Sequence, residues 1–137
     1  MKILNITSVA AITAILTAAS AAAATPPALY TAAQATAGAA VFAQNCAMCH
    51  GADLKGGAGP ALLGQSFAST SNNYTVGAIF SEIAEQMPAG QPGSLSHDQY
   101  DDAMAYILSK NGYPAGSAAL NYDASLASSV PLISQVK

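Results

Sequence analysis

Cys46-Ala-Met-Cys49-His50-Gly51 is the run with chemistry in it. Its two cysteines are the only ones in the chain. Two thiols at this spacing have four uses. They can close a disulfide in an oxidising compartment. They can form a dithiol redox pair, which wants a βαβ setting that this chain does not offer near the motif. They can supply half of a zinc site, but only His97 remains as a further ligand of that kind. The fourth use is covalent attachment of a c-type haem. Both thiols then bond the porphyrin vinyl groups, and the adjacent His50 turns its imidazole toward the iron. The tight spacing suits this chemistry, because the thioethers pin one edge of the ring while the imidazole sits under its centre. Covalent haem attachment is the expected use of this run.

A ligand for the opposite face must come from elsewhere. The chain offers Met1, Met48, Met87, Met104 and His97. Met1 falls in a leader-like segment. Met48 lies between the two cysteines and cannot cross the ring. Met104 sits in an apolar helical stripe, where packing is the simpler role. His97 stands at a helix start, where solvation or capping is the simpler role. Met87 opens the run Met87-Pro-Ala-Gly-Gln-Pro-Gly93, which cannot continue a helix and can hold a thioether against a metal. Met87 is therefore the expected sixth ligand. A His/Met pair raises the reduction potential and leaves no open position, as electron transfer requires.

The elements that must position these groups read as helices. The Ala-rich stretch from Ala32 to Asn45 favours helix, with Val41 and Phe42 as its large apolar side chains. Gly38 weakens that helix unless another backbone approaches closely there. Thr75 caps a second helix running to Gln86, with Val76, Ile79, Phe80 and Ile83 at helical spacing. Ser96 and Gln99 form a capping box for a third. Tyr100, Ala103, Met104, Ile107 and Leu108 follow at the same period, and Gly112 stops it with Asn111 before and Pro114 beyond. No alternating strand pattern of useful length appears. The Gly- and Ser-rich connection from Gly51 to Asn73 has to wrap on something, and a haem would serve. The expected fold class is all-α.

Composition sets the limits. The chain has 137 residues, a net charge of −3, 8% charged residues and no Trp. A sequence pI near 4.9 excludes the basic footprint that nucleic-acid binding needs. Ala dominates the 52% hydrophobic content, so the core is thin in large side chains and haem is expected to complete it. Met1-Lys2, the apolar run from Ile3 to Leu16 and the small residues to Ala24 read as a secretory signal peptide. Cleavage is expected after Ala24. The expected division is 1–24 signal peptide, 25–116 haem domain, and 117–137 an extension packed on it.

Beyond these residue-level readings, the sequence resembles class I cytochrome c from about Ala33 to Gly116. The resemblance rests on Gly38 and Phe42, on Cys46 to Gly51, on Gly59-Pro60-Ala61-Leu62, on Met87-Pro88, and on Ala105-Tyr106-Ile107-Leu108. It implies that the first and last helices cross, with Gly38 and Phe42 packed on Tyr106. It also implies that the Pro60 carbonyl accepts a hydrogen bond from His50 Nδ1 and fixes the imidazole. Pro92 to Ser96 and Asn111 to Gly116 resemble segments of the cytochrome domains that accompany quinone-cofactor alcohol and sugar dehydrogenases. Tyr74 stands where relatives carry Trp. Tyr74, Asn73 and Gln86 are candidate polar contacts to the haem.

The expected protein is a periplasmic monohaem cytochrome c that carries single electrons between redox partners such as a dehydrogenase or a terminal oxidase. Cys46 and Cys49 hold one covalent haem c, and His50 and Met87 ligate its iron. Electrons are expected to leave through a ring edge near Ala47, Ala58 and Ala61. With four Lys and no Arg, a lysine ring for an acidic partner is not expected. Three rivals stand: a fixed relay subunit of a periplasmic quinone-dependent dehydrogenase, a haem enzyme or gas sensor with an open iron site, and a haem-free dithiol protein.

Overall fold

Short local signals start every major helix of this computed structural model, which describes residues 25–137. The expected signal peptide therefore lies outside the described residues. Thr31 caps α1 (Ala32–Asn45) in a capping box with Gln34. After the single turn α2 (Ala47–His50), the chain runs irregularly to a 3-10 turn at Thr70–Asn72. Thr75 Oγ1 accepts the Ala78 N–H and opens α3 (Val76–Gln86). Ser96 and Gln99 form the capping box of α4 (His97–Lys110). A last short helix, α5 (Tyr122–Leu126), follows the Asn121 cap. The all-α expectation holds. The strand content is a two-residue parallel pairing of β1 (Tyr30–Thr31) with β2 (Ala115–Gly116), too short to show alternation in the sequence.

The first and last long helices cross as the resemblance implied. A Cβ at Gly38 would overlap the Asp102 carbonyl and stand 2.9 Å from Tyr106 Cβ. Only glycine lets the two backbones come this close. One turn on, the Phe42 and Tyr106 rings pack with centroids 5.3 Å apart and tilted by 47°. Tyr100, Ala103, Met104, Ile107 and Leu108 are all buried. Asp101 and Ala105 are buried too, because α4 is covered by α1 on one side and by α3 and α5 on others.

The chain beyond Gly116 straps the domain. Gln34 exchanges two hydrogen bonds with the Leu120 backbone. The Val76 and Gly77 N–H groups donate to the Val130 and Ser128 carbonyls, and the Leu132 N–H donates to the Tyr74 carbonyl. Leu132 is fully buried in the core cluster. Its sequence shows only scattered leucines, since the strap is irregular backbone that makes its bonds to distant segments.

Asp101 is the strained point in this packing. It is 4% exposed, and neither its Oδ1 nor the buried Ser125 hydroxyl meets a hydrogen-bond partner. Burial first, then Asp98 and Asp102, push its carboxyl up to about 6 from 3.8, against the opposing pull of His97. The fold thus favours the protonated acid. That contribution to stability is full below about pH 3.8 and is lost as pH rises through about 6.

Two outcomes follow from this packing. Gly38→Val should destabilise the protein by about 1–3 kcal/mol through overpacking, read as a lower denaturation midpoint; an unchanged midpoint would mean that α1 and α4 do not meet there. Asp101→Asn should raise the melting temperature at pH 7 and remove the loss of stability between pH 4 and 6. A melting temperature that drops at pH 7 would contradict the buried-carboxylate argument.

Candidate functional site

A cavity of about 500 Å³ opens between the end of α1, the 51–73 loop, α3 and α4. That volume is in the roughly 300–1,000 Å³ range of cofactor-sized pockets. Its walls are mainly apolar, with Phe42, Leu62, Phe67, Ile79, Ile83 and Ile107 among them. The stripe on α3 divides in two. Val76 and Phe80 are fully buried in the protein core, while Ile79 and Ile83 are half-buried and face the cavity.

One wall carries the sulfur and imidazole groups. Cys46 caps α1, its N–H bonded to the Phe42 carbonyl at 2.9 Å. The turn of α2 then places Cys49 and His50 one turn on, with both N–H groups donating to the Cys46 carbonyl. Three-residue spacing brings both thiols to the same edge of the cavity. Both are free and half-buried, and burial pushes the Cys46 thiol up, helped by Cys49.

His50 is 7% exposed. Its Nδ1 lies 2.8 Å from the Pro60 carbonyl oxygen. A carbonyl only accepts, so Nδ1 carries a proton, and in the neutral ring Nε2 is then the nitrogen with the lone pair. The bond depends on how closely the loop lies on the ring. The Gly59 N–H donates to the Cys49 carbonyl at 2.8 Å, and a Cβ at Gly59 would stand 3.1 Å from His50 Cε1 and Nδ1. A larger residue there would push on the imidazole.

Met87, at the C-cap of α3, also lines this cavity. The structure therefore brings Cys46, Cys49, His50, Pro60 and Met87 to one cavity. The other candidates lie apart. Met48 is 92% exposed, and Met104 is fully buried in the core. His97 is on the surface, stacked on Tyr122 with ring centroids 3.6 Å apart. Tyr74 reaches the rim, as do Ala58 and Ala61; Asn73, Gln86 and Ala47 do not line the cavity.

Three residues with a part in the site escaped the sequence reading. Asn111 reads as a helix stop, yet its buried side chain accepts the Gly64 N–H at 3.0 Å and donates to the Leu62 carbonyl at 2.9 Å. It thereby holds the loop against α4. Tyr100 reads as one more apolar stripe position, yet its hydroxyl donates to the Met87 carbonyl. Glu82 lines the cavity from the exposed side of α3. Nothing local in the sequence marks any of the three, because each acts on a segment distant from its own stripe or stop signal.

The donor set decides what the cavity accepts. Among the described residues, no three His, Cys, Asp or Glu side chains converge on a point that could hold a bare metal ion. What converges is one imidazole lone pair, one soft thioether and two thiols on an edge, within apolar walls. That set suits a planar, apolar group that brings its own metal and most of its own ligands, and it fits haem c.

Comparison with known proteins agrees with this chemistry. Residues 33–107 match the family described as cytochrome C oxidase, cbb3-type, subunit III. The cbb3-type cytochrome c oxidase subunit CcoP of Rubrivivax gelatinosus is 30% identical over 87 residues, which cover 58% of this chain and 27% of that protein. The chain thus spans about a quarter of the length of this curated relative. Among solved structures, the sulfane dehydrogenase SoxCD from Paracoccus pantotrophus is similar, with a TM-score of 0.52 and 26% identity, over 68% of this chain and 51% of that one. The class I cytochrome c likeness, the helical fold and the covalent haem c are borne out together, and with them an electron-transfer role. By sequence, fold and donor set, the chain belongs to the cbb3-type cytochrome c oxidase subunit III family of c-type haem domains.

Proposed function

We propose that this chain is a periplasmic, monohaem electron carrier whose iron is held by His50 and Met87 on opposite faces of the haem. Cys46 and Cys49 form the thioethers. The observation that carries this reading is the gathering of Cys46, Cys49, His50 and Met87 around one cavity. His50 Nδ1 is tied to the Pro60 carbonyl, and Met87 lines the same apolar cavity, which supports their pairing.

When bound, haem c supplies the one-electron iron couple. The residues of the chain do the rest. His50 offers Nε2 with its orientation fixed, and the bond to Pro60 makes that nitrogen a better donor. Met87 would offer a soft, neutral sulfur to the iron, a ligand type that raises the potential. Phe42, Phe67, Ile79 and Ile107 give the cavity apolar walls that would keep water from a bound haem. Pro60, Met87, Cys46 and Cys49 thus serve as holding groups.

Export rests on the leader-like residues 1–24. The domain is read as 25–116, with 117–137 as its packed extension. Among the described residues, no helix is long and apolar enough to cross a membrane. Charge is sparse in the chain as a whole, at 8% of residues, and Ala58 lines the cavity beside the two cysteines. A small, largely uncharged contact with another redox protein, a dehydrogenase or a terminal oxidase, suits rapid turnover.

A second reading has support of its own. The relatives named above are an oxidase subunit and a dehydrogenase, and the chain matches only part of each. The same domain could serve as a fixed relay in a larger periplasmic enzyme. The two readings share one site and differ in whether the native protein travels alone.

The ligand assignment is tested by substitution. Ferric wild type should show the weak near-infrared charge-transfer band of a sulfur–iron bond. Met87→His should abolish the band and lower the reduction potential. Met87→Ala should open the ferrous site to carbon monoxide. Met104→Leu should change neither spectrum nor carbon monoxide binding, at a stability cost under about 1.5 kcal/mol. A band that survives Met87→His, or a wild type that binds carbon monoxide readily at neutral pH, contradicts the reading.

A further inference from the structure

Methionine is long, unbranched and flexible, so its sulfur goes where its backbone sends it. The Met87 N–H is fixed by the last bond of α3, to the Ile83 carbonyl at 3.1 Å. The Met87 carbonyl is different. It lies at a helix end, where carbonyls have no donor within the helix. The loop beyond closes on itself, with the Gln91 N–H bonded to the Pro88 carbonyl at 2.8 Å and the Ser94 N–H to the Gln91 carbonyl at 3.2 Å.

The donor that reaches the Met87 carbonyl comes from α4. The Tyr100 hydroxyl donates to it at 2.7 Å. Tyr100 is 2% exposed and part of the core cluster, yet it does not line the cavity. Its ring is braced by the C-terminal strap. Tyr122 of α5 packs against it with centroids 6.4 Å apart. Tyr122 is itself gripped edge-on by Phe80 at 5.3 Å and stacked on His97 at 3.6 Å.

We propose that Tyr100 is a positioning residue for the Met87 thioether: by fixing the Met87 peptide from the carbonyl side, its hydroxyl keeps the sulfur directed into the cavity. This rests on the reading of Met87 as an iron ligand. It gives α5 a part in the site, because Tyr122 keeps the Tyr100 ring from swinging away. A buried phenol needs some partner in any fold, so the test must separate this role from plain core packing. Tyr30 supplies the comparison. It is equally buried, and its hydroxyl donates to the Tyr113 carbonyl at 2.6 Å, with no tie to Met87 and no place in the cavity wall.

The experiment titrates the ferric, haem-loaded full-length protein with imidazole, which must displace the sixth ligand to bind. Tyr100→Phe should bind imidazole about three- to tenfold more tightly than wild type, the effect of losing one neutral buried hydrogen bond. Tyr30→Phe should lose stability and keep wild-type imidazole affinity. Tyr122→Leu, which removes the brace and leaves the Tyr100 hydroxyl, should shift affinity the same way by a smaller factor, and it carries the test if Tyr100→Phe fails to load haem. Wild-type affinity in Tyr100→Phe, or in Tyr122→Leu when that variant stands in for it, overturns the proposal. So does an equal shift in Tyr30→Phe. Met87→Ala separates the two claims. If wild type lacks the near-infrared band and Met87→Ala leaves imidazole affinity unchanged, the ligand reading itself fails and the proposal falls with it.

Discussion

The close crossing of α1 and α4 at Gly38 sets the dimensions of the site. Cys46 caps the end of α1 and α2 follows at once with Cys49 and His50, so the depth of that crossing fixes where one wall stands. The same helix α4 then reaches the other parts in turn. Tyr106 packs on Phe42, Tyr100 bonds the Met87 carbonyl, and Asn111 clamps the loop at Leu62 and Gly64. One helix thereby references the imidazole wall, the thioether wall and the connecting loop to a single rigid body. A side chain at Gly38 would disturb all three.

Within that frame the chemistry follows from burial. Apolar walls make each polar group costly unless it is satisfied. His50 meets this by donating to Pro60, which also decides its tautomer and leaves one nitrogen for a metal. The thioether of Met87 is nearly apolar and needs no partner in the empty sense that a carboxylate would. A haem site can therefore be built here with few charges, in line with a chain of which only 8% is charged. The one buried carboxylate outside this logic, Asp101, lies where α4 meets the strap and has one oxygen without a partner.

The legible parts of the fold were those written in local signals. Thr75 and Ser96 are caps whose partners lie three residues on, so the starts of α3 and α4 could be read directly, while α1 was legible from its alanines and its Thr31–Gln34 capping box went unread. Pro88 ends α3 and singles out Met87 as a residue at a helix end. The Cys46–His50 spacing names its cofactor almost by itself. Gly38, an apparent flaw in a helix, became readable as a crossing point once Tyr106 was set beside it. What stayed hidden was long-range. Asn111 finds Gly64 at a separation of 47 residues, and Gln34 finds Leu120 at 86. The strap bonds through its backbone, which carries no residue signature. Tyr100 was visible as core but not as a donor, because periodicity reports which face is buried and says nothing about where a hydroxyl points.

The central claim is that sulfur from Met87 and nitrogen from His50 face each other across one covalent haem. Iron-edge X-ray absorption on the purified haem-loaded protein addresses it most directly. The account predicts a sulfur shell beside the nitrogen shell in both ferric and ferrous states, lost in Met87→His and retained in Met104→Leu. A first shell of nitrogen and oxygen alone in the wild-type protein would contradict it.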